Sequence, residues 1–403
     1  MIRKLTITRP HACGLLAAVL FLAQMVVTSV IAGEPGYRTW FKPAMDAHPQ
    51  WEFSEVAGDP FQLTIRRMRS RAEEQPRRVF VLFPKASSAY DVAMSKILSV
   101  FEDKDIDAEF TVFNFDKRPA RGNQALELVK RGEFKLIFSM GSQSTAWLWE
   151  NYRDERIPVV SVCSKDPVVL GQTERYDRGT GTNFAFTSLN MPIEVQMAYV
   201  LELKPNLKNL AVLVNSKNVS AMETQAKPIA EFARERGIRV LELAIQNPER
   251  AADELESIVR KAVTVMRKND PTLNDSLFWI TGSTTVFREI ETINANSDRV
   301  PVLSVVPDVV KAGDDSAVLS IGIGFESNAH LAAIYGLDVL EGRVDVGDLE
   351  VGIVSPPDIA INFRKAREIG LEIPFTFFES ASFIYDYEGR MVRNNGKPVT
   401  DID

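Results

Sequence analysis

Two short stretches combine a glycine with hydroxyl side chains in a way suited to holding a small polar group. Phe138-Ser-Met-Gly-Ser-Gln-Ser-Thr-Ala146 is an apolar run that ends in Gly141, Ser142, Ser144 and Thr145. Phe278-Trp-Ile-Thr-Gly-Ser-Thr-Thr-Val286 repeats that plan with Gly282, Ser283 and Thr284. A buried strand that delivers such residues to a helix N-terminus presents unsatisfied N–H groups and the positive end of the helix dipole. Each stretch is followed by a proline-led strand, Ile157-Pro-Val-Val-Ser-Val162 and Val300-Pro-Val-Leu-Ser-Val305. The offset between copies barely changes, from Gly141 to Gly282 and from Pro158 to Pro301. The repeat predicts two similar lobes that hold one ligand between them. Two ordinary strand-to-helix turns in a large α/β protein would be the blander reading, and the paired continuation argues against it.

The elements that must position these turns alternate between apolar runs and amphipathic segments. Val79–Phe83, 109–115, 134–140 and 157–163 read as strands, with helices at 87–101, 120–130 and 144–152. That alternation predicts a parallel sheet covered on both faces, with the ligand crevice beyond the strand C-termini. Ser87, Ser88, Tyr90, the 141–145 turn and Lys165-Asp166-Pro167 fall at that edge. A strand at 180–186, containing Asn183, precedes a first crossing near Met191. A second lobe then repeats the pattern with strands at 210–214, 239–244, 277–281 and 301–306 and helices at 221–236, 251–267 and 285–295. Its crevice edge carries Asn215, Ser216, Ser220, the 282–285 turn and Asp308. The strand 319–323 and a helix at 328–341 are expected to return to the first lobe, and 342–348 to cross a third time. Three crossings between two lobes make a hinge able to close over a ligand.

The expected segmentation is 33–76 as an aromatic N-terminal extension, 77–187 with 309–343 as lobe one, 188–308 with 344–382 as lobe two, and 383–403 as a tail. The extension holds Trp40, Phe41, Trp51, Phe53 and Phe61, expected to pack onto a lobe, and then Arg66-Arg-Met-Arg-Ser-Arg71, expected on a solvated face or a docking surface. Residues 1–32 read as a signal peptide. Arg3, Lys4 and Arg9 precede a long apolar run, and Val30-Ile-Ala32 suits cleavage before Gly33, which predicts a periplasmic protein. An uncleaved membrane anchor is the rival reading.

With 45% hydrophobic and 25% charged residues, the 403-residue chain has the composition of a soluble globular protein with two cores. Removing residues 1–32 moves the formal charge from −7 to −10. So acidic a chain is poorly suited to nucleic acid or anionic membranes. Cys163 is the one cysteine beyond that segment, which leaves no intramolecular disulfide, and it reads as a small buried apolar residue. His48 and His330 are the histidines that remain, too few for a His-based triad or a metal site. No nucleophile–base pair is legible, and Ile321-Gly-Ile-Gly-Phe-Glu326 lacks the rest of a dinucleotide fingerprint. No catalytic residue, metal or cofactor is expected.

From Arg78 to Pro374 the chain resembles the ABC-transporter substrate-binding proteins of the type I periplasmic fold, in the subgroup whose characterised members bind aromatic amino acids. The resemblance rests on Gly141-Ser-Gln-Ser-Thr145, on Ile157-Pro-Val-Val with Asp166-Pro-Val168, and on Leu203-Lys-Pro205 with Val212-Leu-Val-Asn215. Leu340-Glu-Gly342, Ile361-Asn-Phe-Arg-Lys-Ala366 and Ile369-Gly-Leu-Glu-Ile-Pro374 continue it. It implies a type I periplasmic-binding-protein fold, with two doubly wound parallel-sheet lobes joined by a three-strand hinge. It also implies a monomer that hands a small-molecule solute to an inner-membrane ABC permease. The alternative is a receptor of the same fold that signals to a membrane sensor kinase. The sequence departs from the family at Asn183-Phe-Ala-Phe186, at Thr281-Gly-Ser-Thr-Thr285 and at Lys85-Ala-Ser-Ser-Ala-Tyr90, all in or beside the cleft. An amino-acid ligand would need donors for its carboxylate, available at the two turns, and acceptors for its ammonium, for which Asp166 and Asp308 are candidates. Tyr90 could stack on an aromatic ring. Asp166, before a proline, is equally suited to shaping a turn, and Asn183 to holding the crossing strand.

Overall fold

The computed structural model describes residues 36–44, 47–68 and 75–400. The expected signal peptide, Arg69 and Arg71 lie outside the described residues. The first sheet is built from β1 (Trp51–Val56), β2 (Asp59–Arg67), β3 (Arg77–Phe83), β4 (Ala108–Asn114), β5 (Leu136–Met140), β6 (Val159–Val162) and β7 (Phe184–Ala185). Its spatial order is β1-β2-β4-β3-β5-β6-β7, parallel from β4 through β7. Val79 to Phe83 are buried on both faces, which is why this stretch reads as an unbroken apolar run and not as an alternation.

The aromatic extension is integral to this lobe. β1 and β2 form an antiparallel hairpin that adds to the sheet through β2 and β4. Trp40 and Phe41 each meet the Phe83 ring edge-on at 5.7 Å, and Trp51 lies 5.5 Å from Phe110. Arg66 and Arg67 are strand residues; Arg66 is exposed as expected, whereas Arg67 is buried. Arg66 pairs with Glu109, and the buried Arg67 pairs with Asp105 at 2.9 Å. The cross-strand carboxylate of β4 explains the first of these pairs.

After β8 (Thr187–Ser188) the chain enters a second sheet through the helix Ile193–Leu203. Here β9 (Asn209–Asn215), β10 (Arg239–Ile245), β11 (Ser276–Ile280), β12 (Val302–Ser304) and β13 (Leu319–Gly322) run parallel in the order β10-β9-β11-β12-β13. β13 therefore belongs to the second lobe, contrary to the expectation that 319–323 returns to the first. Its backbone is claimed by β12 on one side and by an antiparallel partner on the other. The return is made by the helix Phe325–Leu340, whose Glu326 pairs with Lys96 of the helix Ser88–Asp103 at 2.6 Å.

The third crossing also comes later than 342–348. Gly347 still accepts the Gly181 N–H, and Val351 donates to Tyr176, both in the first lobe. β14 (Gly352–Ile353) then pairs with β8 in parallel, and β15 (Asp358–Asn362) re-enters the second sheet beside β13. The expected tail supplies β16 (Phe383–Tyr385), β17 (Met391–Asn394) and β18 (Lys397–Pro398), which extend that sheet.

One buried side chain ties the crossings together. Asn328 accepts from the Cys163 N–H at 2.7 Å and from the Thr187 hydroxyl at 3.2 Å, and it donates to the Ser188 carbonyl at 3.1 Å. Asn190 links the lobes, accepting from the Asp166 N–H and donating to the Thr224 carbonyl at 2.7 Å.

Candidate functional site

Both glycine-hydroxyl turns open onto one cavity of about 220 Å³ between the lobes. Ser142 and Gln143 line it from the first lobe, and Gly282, Ser283, Thr284 and Thr285 from the second. A larger depression of about 900 Å³ around 171–182 is bounded by first-lobe residues and the 347–350 segment, away from both turns.

The first turn is set by Gly141. Its φ of +75° is left-handed, and a Cβ there would fall 2.1 Å from the Tyr90 hydroxyl. It begins the 12-residue helix Gly141–Tyr152, whose N-terminal end faces the cavity through Ser142 and Gln143. Ser142 Oγ accepts the Lys165 N–H at 2.9 Å, which fixes the backbone from which Lys165 projects.

The second turn is built differently from the expected single helix at 285–295. A four-residue turn, Thr284–Phe287, is followed by a separate helix, Ile290–Asn296. Two of its backbone donors are already engaged: Gly282 N–H donates to Gln225 Oε1 at 2.7 Å and Ser283 N–H donates to Thr281 at 2.6 Å. The turn also brings the Ser283 and Thr284 side chains to the cavity lining. Ser283 Oγ is buried and has no hydrogen-bond partner among the described residues.

The expected site residues fall into two groups. Ser87, Tyr90, Ser142, Asn215, Ser220, Gly282, Ser283 and Thr284 all line the cavity. Asn215 donates to Thr285 Oγ1 and Ser220 to Asn218 Oδ1, so both are held in place by their own lobe. Ser88, Gly141, Ser144, Thr145, Asp166, Asn183 and Asp308 do not line it. Ser88 is on the other side of its helix start, in a depression with Lys42 and Asp91. Ser144 and Thr145 are fully buried and return their hydroxyls to the carbonyls of Met140 and Gly141, one helical turn back. Asp166 caps the Val168 and Val169 N–H groups at 2.9 and 3.1 Å and accepts the Tyr176 hydroxyl at 2.6 Å. Asn183 bonds Asp154, Tyr152 and Ile157, which brace the start of β6. Asp308 accepts the Phe325 N–H from the crossing. Neither aspartate offers a carboxylate to the cavity.

Tyr90 is buried with its ring perpendicular to Phe83 at 5.7 Å, and burial raises its hydroxyl pKa above the ordinary value. Cys163 lines the cavity as a neutral thiol, also raised by burial and by nearby Asp308.

Four lysines, Lys85, Lys117, Lys165 and Lys217, complete the lining. The Lys165 side chain reaches the second lobe, so that a Cβ on Gly282 would fall 2.2 Å from its Nζ. It is 6% exposed, and desolvation pulls its pKa down to about 8. Lys85 is lowered too, first by desolvation and then by Lys117 and Arg288. The signal for Lys165 was available in the sequence, as the first charged residue past the C-terminal end of a buried strand. Its lack of a partner was not. Among the described residues no group of His, Cys, Asp and Glu side chains could hold a metal ion, and no helix is long and apolar enough to cross a membrane.

Two parallel-sheet lobes, three crossings and a cavity walled by both lobes define a type I periplasmic-binding-protein fold. The chain belongs to the ABC transporter substrate binding protein family, whose model matches residues 81–382. Solved structures with the same fold include a conserved domain protein from Vibrio cholerae, 20% identical with a TM-score of 0.61, covering 77% of this chain and 100% of that one. Another is an ABC domain from Streptococcus pneumoniae in complex with L-Trp, 17% identical with a TM-score of 0.60, covering 76% and 100%. A third is a ligand-free, open substrate binding protein with adhesive properties from Clostridium difficile, 18% identical with a TM-score of 0.55, covering 76% and 98%. No curated protein sequence matches the chain.

Proposed function

We propose that this protein is the periplasmic solute receptor of an ABC uptake system. It binds a small polar solute in the inter-lobe cleft by hinge closure and passes it, as a monomer without chemical change, to an inner-membrane permease. The observation that carries this reading is that Ser142 of one lobe and Ser283 of the other line one cavity. At about 220 Å³ the cavity is below the range usual for drug-sized ligands and suits a small metabolite. Family membership supports a transport role, and the L-Trp complex of the streptococcal neighbour keeps amino acids among the solutes to screen.

The test is a thermal-shift screen of small polar solutes followed by titration of two variants. Ser142→Leu and Ser283→Leu should each weaken binding by a few kcal/mol, through lost hydrogen bonds and a steric block on closure. Binding should also shrink the radius of gyration in solution scattering. If Ser142→Leu abolishes binding while Ser283→Leu leaves it unchanged, the second lobe does not take part and the clamshell reading fails.

A further inference from the structure

We infer that the solute is a compact anion with two or more negative charges and no ammonium group, held between Lys165 and the hydroxyls of the two turns. The inference rests on the receptor reading and narrows it to a ligand class.

The first observation is the charge of the lining. Lys85, Lys117, Lys165 and Lys217 border the cavity, and among the described residues no aspartate or glutamate does. None of these lysines forms an ion pair with a carboxylate among the described residues, although surface pairs are plentiful elsewhere on the protein. The chain as a whole carries a formal charge of −7, so four unpaired cations around one small cavity run against its composition. A concave site of one sign focuses its potential on ligands of the other sign.

The second observation is independent of the first. Lys165 is 6% exposed and lines the cavity, and its ammonium has no hydrogen-bond or ion-pair partner among the described residues. A buried charge left unpaired is costly unless something else supplies the counter-charge. The neighbouring Cys163 cannot supply it, because its thiol is held neutral. Ser283, on the second lobe's wall, is another buried polar group whose Oγ lacks a hydrogen-bond partner among the described residues. Together with the N-terminal end of the helix Gly141–Tyr152, these groups satisfy an oxyanion and leave an ammonium without an acceptor carboxylate. The two aspartates that a zwitterion would use are committed to the 166–169 turn and to the Phe325 N–H.

Dicarboxylates and phosphate monoesters share this chemistry, and titration distinguishes them. The protein is titrated calorimetrically with succinate and citrate in one arm and with inorganic phosphate and glycerol 3-phosphate in another. L-tryptophan, L-tyrosine and L-leucine form a third arm. We expect binding in one of the anion arms, weakened by rising salt. Lys165→Met should reduce that affinity by at least about tenfold, whereas Lys165→Arg retains more of it. Circular dichroism and thermal melts of both variants separate lost binding from lost folding. If a zwitterion binds equally well to wild type and Lys165→Met, the anion inference is overturned and the receptor reading stands. Silence in both anion arms also overturns it. The receptor reading then falls as well only if a wide panel of neutral solutes is equally silent.

Discussion

Replacing Lys165 by methionine should make the ligand-free protein more stable. The side chain is buried, and its pKa is depressed from 10.5 to about 8 by desolvation. At 1.36 kcal/mol per unit, that shift costs the protonated form about 3 kcal/mol at neutral pH. Methionine fills similar space with no charge and gives up no side-chain hydrogen bond that the lysine makes among the described residues. A gain of about 1–3 kcal/mol is therefore expected, since some of the shift reflects relaxation that methionine does not need. The assay is the melting temperature of both proteins, dialysed free of solutes, as a function of pH. Because the folded-state pKa is lowered, the unfolded chain binds more protons between about pH 8 and pH 10.5. Wild type should gain stability across that window while the variant does not. The difference should thus be full below pH 8 and close as the pH rises. Lys85 is also lowered but is present in both proteins, so its contribution cancels. A variant less stable than wild type at pH 7, or a difference that ignores pH, would refute the claim that Lys165 is an uncompensated buried charge. Such a cost in the ligand-free state is the expected signature of a group kept for binding.

Three further outcomes test the frame around the cleft. Phe41→Ala, which empties a fully buried position against Phe83, should destabilise the first lobe by about 3–5 kcal/mol in chemical denaturation, and a near-neutral result would mean that the extension only decorates the sheet. Asn328→Ala strands the Cys163 N–H and the Ser188 carbonyl and should cost about 1–3 kcal/mol, with faster hydrogen exchange at 187–188 as the local readout. If the N-terminal segment is a cleaved signal peptide, N-terminal sequencing of exported protein should begin at Gly33, and an intact Met1 on membrane-bound protein would establish the anchor instead.

Much of this architecture was legible in the residues. Buried parallel strands are continuous apolar runs, so Val79–Phe83, Leu210–Val214 and Phe278–Ile280 announce themselves, and the glycine-hydroxyl turns after them mark the crevice edge. The repeat of turn and proline-led strand was enough to expect two lobes and one shared ligand site. Local pattern also located the turns bearing Ser142 and Ser283, the two residues that line the cavity from opposite lobes.

Other features depend on long-range pairing, which leaves no local trace. Strand 319–322 has the same apolar pattern whichever sheet receives it, and only its hydrogen bonds to β12 and β15 assign it to the second lobe. The aromatic extension and the tail of the chain each join a sheet edge, a choice made by partners far away in sequence. Within a single crevice edge, the sequence could not separate Asp166, which caps its own turn, from Lys165 beside it, which reaches across to Gly282. The charge of a binding site is a sum over side chains that folding brings together. Composition made this protein acidic, and tertiary structure alone gathered around its cleft four lysines that form no ion pair among the described residues.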